Sequence, residues 1–347
     1  MKPSLQRDIK INSLTSIRGL CVLLVILVHL FPYLNFTQNV NYNFGNTGVI
    51  GFFTLSSYLI CKGLFDNKFS YKKFIIRRFV RIYPLFMLNI VIFIFILNYL
   101  NFINNNYTGF NYFQIWEWSL MIGNYSGAGD SNAFSHLWSI PVEMHFYLLI
   151  PLLALANKIN RNRILYFLVI FSCLLNFYIV ENMKNSSIWI LTTSHIGSFC
   201  IGALISNNEV HLRKFAYNRE VFIFLIPCLI ILSSGRSFYY GRFSGMYYLL
   251  ASIFFGLVIL QGLNKNRTNN FLAYFGKRSY SIYLVHFTII FIFMSYHPGG
   301  GIMKGQATLQ QVVLCFIIIV AVGSLEYQIL ERPILKLKSK VEFIKTT

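Results

Sequence analysis

Residues 14–33 read LTSIRGLCVLLVILVHLFPY. An apolar helix needs about 20 residues, at 1.5 Å rise each, to cross the hydrocarbon core of a bilayer, and this stretch has that length. It carries an arginine near one end, Arg18, and a histidine near the other, His29. At about 100° per residue, their spacing is three turns plus about 20°. Both side chains therefore leave one face, about 16 Å apart along the axis. A charged or titratable group facing lipid is costly, so such residues turn toward a bundle interior and mark a site. On these two residues alone a plainer reading stands beside the chemical one. Arg18 then snorkels to the interface and His29 makes a helix-packing hydrogen bond.

The rest of the chain is of the same kind. Of its 347 residues, 56% are hydrophobic and 12% charged, with a mean hydropathy of +0.56. That charge content is about half the norm for globular proteins. The apolar runs are too long and too continuous for barrel strands. The predicted fold is an all-α integral membrane protein, a bundle of about ten transmembrane helices forming a single domain over residues 1–347. The expected spans are about 14–34, 47–64, 82–101, 137–156, 163–181, 188–206, 219–234, 245–263, 279–297 and 309–330. The net charge of +19 would suggest a nucleic-acid partner in a soluble chain. Here the cations sit in short links between apolar runs, which is the membrane-orientation signal, so no nucleic acid is expected.

Orientation follows from a count. With the N-terminus cytoplasmic, the inner segments hold 26 of the 30 Lys and Arg, and the outer ones hold Lys184, Arg236, Arg242 and Lys304. Both termini are therefore predicted cytoplasmic. The leading MKPSLQRDIKINS is polar and basic, and the run after it is too long for a signal-peptide core, so the first helix is expected to stay uncleaved. The six cysteines fall in or beside apolar runs without a CxxC pair, so neither a disulfide nor a metal site is expected.

Polar groups recur at membrane depth. In SHLWSIPVEMHFYLLIPLL, residues 135–153, His136 and Glu143 lie two turns apart, with Ser139 on the same face. Counting rise from each face puts His29 about 22 Å from the inner side and Glu143 about 10 Å below the outer one, so the two share a layer. His195 falls at a similar depth, and His286 about 12 Å above the cytoplasmic face. Pro141 is expected to kink the fourth span and Pro333 to stop the last helix, just after Glu331 and Arg332. Within FQIWEWSLMIGN, residues 113–124, Trp116 and Trp118 read as an aromatic belt. Residues 62–84, KGLFDNKFSYKKFIIRRFVRIYP, concentrate Lys72, Lys73, Arg77, Arg78 and Arg81 at the start of the third span. Arg78 and Arg81 share a face. This run fits ordinary inner charge on anionic lipid, and equally the phosphates of a nucleotide-containing donor. An inner basic site and an outer carboxylate–histidine site suit group transfer across the membrane. They also suit a transporter or flippase of glycan precursors, which should show internal symmetry between halves; none is visible.

Six stretches then match a known family in order. TSIRGLCVLLVILVH (15–29) has an arginine, ten residues and a histidine. GVIGFFTLSSYLI (48–60), RRFVRIYP (77–84), HLWSIPVEMHFYLLIPLL (136–153), SYSIYLVHF (279–287) and LERP (330–333) follow. Nearly the whole chain resembles the integral-membrane acyltransferase family 3, which includes O-acetyltransferases of bacterial O-antigens and other envelope polysaccharides. The resemblance implies a ten-helix protein of the bacterial cytoplasmic (inner) membrane, surrounded by its lipids. It implies transfer of an acyl group, usually acetyl, from cytosolic acetyl-CoA to a sugar hydroxyl of a glycan or lipid-linked oligosaccharide such as lipopolysaccharide O-antigen. Another short acyl group, such as succinyl, fits as well. By motif, His29 is the essential histidine, Arg18 its partner, and Glu143 the acid of the fourth span. Arg78 and Arg81, helped by Arg77, Lys73 and Lys72, would hold the acyl-CoA. His136, Ser139, His195 and His286 are supporting candidates from their positions. The chain departs from the family where Thr15 stands for an aspartate, Ser57 for a glycine, and Met144–His145 for glutamate–glutamine.

Overall fold

The computed structural model describes residues 3–34, 45–65, 70–103, 113–125, 133–183, 188–215, 226, 241–265, 269–296, 301–302 and 305–336. Apart from Ile226, the span expected at 219–234 lies outside the described residues. Among them, the regular elements are helical: α1 (Pro3–Leu30), α2 (Gly45–Leu64), α3 (Tyr71–Ile103), α4 (Phe113–Ser119), α5 (Ser139–Leu149), α6 (Lys158–Met183), α7 (Ile196–Asn207), α8 (Glu209–Phe215), α9 (Ser244–Lys265), α10 (Asn270–Lys277), α11 (Ser279–Ser295) and α12 (Leu309–Glu326). Seven helical segments among the described residues are long and apolar enough to cross a bilayer. There are eight if α10 and α11, interrupted at Arg278, form one broken span. The chain is a multi-pass helical membrane protein.

Local sequence explains where these helices start and stop, and corrects four expectations. Pro32 disfavours helix at the residue before it, so α1 gives way to a 3₁₀ turn at Phe31–Tyr33. The helix of the third span begins at Tyr71 rather than at 82, because the basic run is itself helical and the helix carries on through Pro84 into the apolar run. Its 33 residues rise about 50 Å along the helix. Pro141 does not kink the fourth span. It sits in the first turn of α5, where its missing N–H is no loss, and the span opens instead as a 3₁₀ turn at Ser135–Trp138. Pro333 does not stop the last helix either. A π-helical turn at Tyr327–Glu331 widens the backbone, the Arg332 N–H reaches back to the Tyr327 carbonyl, and the helix continues to Lys336. Finally, Trp116 is 66% exposed but Trp118 is 0% exposed, packed edge-on against Phe86, so Trp118 belongs to the core and not to a belt.

The residues fall into two compact units. The first comprises Met1–Val28, Asn39–Phe69 and His145–Ser279. Its core gathers Ile17, Cys21, Leu55, Tyr58, Ile205 and Phe255. Between lipid-soluble helices there is little hydrophobic drive, so small residues that let backbones approach carry the packing. Gly202 does this on α7: a Cβ there would overlap the Thr54 carbonyl of α2, and the Ser57 hydroxyl beside it donates to the Phe199 carbonyl. Arg161 is buried at the start of α6 and donates to the Leu153 and Ala156 carbonyls at 3.0 and 2.8 Å, closing the helix end before it.

The second unit comprises His29–Gln38, Ser70–Met144 and Tyr280–Thr347. The Tyr280 hydroxyl donates to the Ile82 carbonyl at 2.6 Å, and the buried Asn89 donates to Glu326 Oε1 at 2.7 Å. Glu331 Oε2 accepts from the Ser281 hydroxyl at 2.6 Å and from its N–H at 3.3 Å, a carboxylate capping the N-terminal turn of α11. Thr308 and Gln311 form a capping box that starts α12. The Gly305 and Ala307 N–H groups donate to the Pro32 and Tyr33 carbonyls at 2.9 and 2.7 Å, tying the chain before α12 to the end of α1.

Candidate active site

The second unit assembles a cluster of three histidines from three sequence motifs. His29 stands one residue before the end of α1, partly buried. His286, 0% exposed, stands in the middle of α11, and His136, 3% exposed, in the 3₁₀ turn before α5. His286 Nε2 lies 3.3 Å from His29 Nδ1, within reach of a hydrogen bond, and the ring centroids are 5.1 Å apart. The His136 ring meets His286 edge-on at 4.8 Å. Phe287 closes the group, 4.9 Å from His29 and 5.5 Å from His136.

Backbone carbonyls set how these rings are held. His286 Nδ1 lies 2.6 Å from the Tyr283 carbonyl and His136 Nε2 lies 3.0 Å from the Leu284 carbonyl. A carbonyl only accepts, so each of these nitrogens carries a proton. The Tyr283 hydroxyl donates to the His136 carbonyl at 2.6 Å, and the Ser139 hydroxyl donates to the Tyr283 oxygen at 2.7 Å. Tyr283 thus fixes two histidines, one through its carbonyl and one through its hydroxyl.

The expected residues divide between the units. His29, His136 and His286 meet directly, and Ser139 joins them through Tyr283. Glu143 is half-buried on α5, near enough to Tyr280 and Tyr283 to act on both electrostatically. The contact of His29 with His286 corrects the depth count, which had put the two in different layers. That count assumes each span runs straight from a membrane face, and the chain breaks at Arg278 just before α11. His195 and Arg18 belong to the first unit. His195 is buried there, its Nε2–H donating to the Trp189 carbonyl at 2.8 Å and its ring stacked on Tyr248. Arg18 is half-buried on α1.

Lys72, Lys73 and Arg77 are exposed on the first turns of α3. Arg78 and Arg81 are half-buried. The Arg78 guanidinium lies 5.5 Å over the Phe74 ring, and Arg81 is within electrostatic reach of Tyr280. One helix therefore presents three exposed cations and turns two more inward, a graded basic surface suited to an anion. Sequence reasoning did not single out Tyr283, Ser281 or Asn89. For Tyr283 a signal existed, since it lies within SYSIYLVHF three residues before His286. Ser281 lies in the same stretch, although its partner Glu331 is 50 positions away; for Asn89 there was none, since its partner Glu326 lies 237 positions away.

Chemically, two imidazoles in contact inside an apolar unit can take up, hold and return a proton. A family profile described as an acyltransferase domain, of acyltransferase family 3, matches residues 11–325. An uncharacterised Haemophilus influenzae protein is 28% identical over 248 residues, 60% of this chain and 95% of its own length. A Staphylococcus aureus protein bearing the name "Putative O-acetyltransferase" is 25% identical over 84% of this chain and 52% of its own. A Bacillus subtilis protein bearing the name "Putative peptidoglycan O-acetyltransferase" is 24% identical over 93% of this chain and 55% of its own. The chain spans about half the length of those last two relatives. No solved structure matches it.

Proposed function

The chain belongs to acyltransferase family 3, residues 11–325 forming an acyltransferase domain, and from that premise we propose that it is a membrane O-acetyltransferase. The donor in this reading is cytosolic acetyl-CoA. The acceptor is a sugar hydroxyl of a bacterial envelope polysaccharide, such as an O-antigen. The protein sits in the inner membrane with about ten spans and both ends cytoplasmic. The observation that carries the reading is the His29–His286 contact at 3.3 Å, a titratable pair placed within apolar helices. A packing role alone needs one hydrogen bond and would not need a second, fully buried imidazole.

A sugar hydroxyl at neutral pH is a weak nucleophile and needs a base. His29 takes the hydroxyl proton as the oxygen attacks the thioester carbon. The carbon–sulfur bond then breaks, and the departing thiolate recovers the proton from the imidazolium, leaving coenzyme A and the acetyl ester. Glu143 favours the charged ring through the field it adds to this unit. Arg78 and Arg81, with Arg77, Lys72 and Lys73 around them, hold the donor's phosphates by charge-assisted hydrogen bonds. The names of the relatives support the acyl group and the glycan class of acceptor.

Deleting the gene and restoring it as wild type or as His29→Ala tests the reading. Mass spectrometry and NMR of the envelope glycans should show the acetyl groups return with the wild type alone. Size-exclusion chromatography in detergent should show His29→Ala as well folded as the wild type. Full acetylation by His29→Ala would remove His29 from the chemistry, and missing sugars in place of missing acetyl groups would favour a transport role.

A further inference from the structure

We propose that His286 is a positioning residue, one that makes Nε2 the basic nitrogen of His29. The inference rests on the reading of His29 as the base. The argument is one of donors and acceptors. His286 Nδ1 is committed to the Tyr283 carbonyl at 2.6 Å, so the proton sits on that nitrogen. A neutral imidazole then has its lone pair on Nε2, and that Nε2 faces His29 Nδ1 at 3.3 Å. For the two rings to hydrogen-bond, His29 must donate from Nδ1. Its own lone pair is thereby assigned to Nε2.

The ring that imposes this choice is fully buried and held on several sides. Tyr283 carries its carbonyl on the same helix one turn earlier, the His136 ring packs edge-on at 4.8 Å, and His136 is itself fixed to the Leu284 carbonyl. The Tyr283 hydroxyl, donating to the His136 carbonyl, locks α11 to the turn that carries His136. When His29 Nε2 accepts the acceptor's proton, the ring becomes an imidazolium whose Nδ1–H already points at a lone pair. The charge is met without any other group moving. No second proton changes hands: the proton taken at Nε2 is the one returned to the departing thiolate.

Three substitutions separate positioning from bulk. In His286→Gln the side-chain oxygen reaches where Nε2 was and still accepts from His29. His286→Asn reaches only the Nδ1 position, and His286→Phe fills the volume with no acceptor. In membranes, with acetyl-CoA as donor, His286→Gln should keep kcat within about tenfold of wild type. His286→Asn and His286→Phe should lose about 100-fold or more, the scale of general-base catalysis, with KM for acetyl-CoA unchanged in all three. Wild-type kcat in His286→Phe, or a His286→Gln as inactive as His286→Phe, overturns the proposal. A direct reading needs no variant to turn over. In ¹⁵N NMR of histidine-labelled wild type in detergent, assigned against His29→Ala, the His29 Nε2 should be unprotonated at neutral pH. A proton found on Nε2 overturns the proposal. An inactive His29→Ala beside a fully active His286→Phe defeats this inference alone, whereas an active His29→Ala defeats the base assignment beneath it.

Discussion

At the scale of single residues, Tyr283 concentrates the constraints on the site. Its hydroxyl donates to the His136 carbonyl and accepts from Ser139, and its carbonyl holds His286. Tyr283→Phe keeps the carbonyl and removes the hydroxyl. The buried His136 carbonyl and Ser139 hydroxyl then each lose a hydrogen bond, at about 0.5–1.5 kcal/mol for each. Ser139→Ala removes a donor but leaves the Tyr283–His136 bond, so its cost is about 0.5–1.5 kcal/mol. In thermal unfolding of the detergent-solubilised protein, Tyr283→Phe should lower Tm clearly more than Ser139→Ala; equal shifts would mean that the hydroxyl does not anchor His136. Why both His29 and His286 stand out in the sequence while their contact does not is a matter of physics at this same scale. A histidine within an unbroken apolar run is conspicuous because of what it costs in lipid. Which residue it meets depends on how a distant helix is broken and offset, and counting rise from a membrane face carries no information on that.

At the scale of elements, helix type and core were legible wherever apolar runs were continuous, as along α1, α2, α9 and α12. The misses fell at prolines and at the ends of runs. Pro141 and Pro333 were read for what proline does inside a helix, whereas one sits in a first turn and the other follows a π turn, where the missing N–H matters little. The joint between α2 and α8 offers an element-level test, because one carboxylate holds it. Glu209 accepts from the Tyr58 hydroxyl at 2.8 Å and from Lys62 at 2.7 Å, and pairs with Arg213. Burial works to raise the Glu209 carboxyl, but the hydrogen bonds from Lys62 and Tyr58 and the charges of Lys62 and Arg213 outweigh it and hold it below its ordinary value. A carboxyl depressed in the folded state contributes stability that is whole above the ordinary carboxylate range, about pH 4, and is lost as pH falls through the folded value. The Tm of the wild type should therefore fall more steeply than that of Glu209→Gln between about pH 5 and pH 3, with the two curves parallel above about pH 6. Parallel curves throughout would show that the joint draws nothing from the charge.

At the scale of the whole molecule, the proposed chemistry needs a sidedness. In the proposed reading the donor is met at the basic start of α3, and the proposed orientation rests on the distribution of cations, 26 of 30 Lys and Arg falling in the segments assigned to the cytoplasm. Each cation carried to the outer side works against the positive-inside bias, so an inverted protein would have to translocate nearly all of them. Exposed positions in the described residues allow the test. In a background with the six cysteines replaced by serine or alanine, single cysteines at Lys73, Gly301 and Lys336 report three loops or ends. Gly301→Cys should react with a membrane-impermeant maleimide in intact spheroplasts. Lys73→Cys and Lys336→Cys should react only once the membrane is permeabilised. Acetylation of envelope glycans by each variant, measured in the same cells, ensures that the labelled protein is the working one. If Lys73→Cys labels from outside while acetylation persists, the basic turns of α3 face away from the cytosolic acyl-CoA pool. The donor-binding role of Arg78 and Arg81 then falls, while the histidine cluster is left untouched as the place where the hydroxyl is deprotonated.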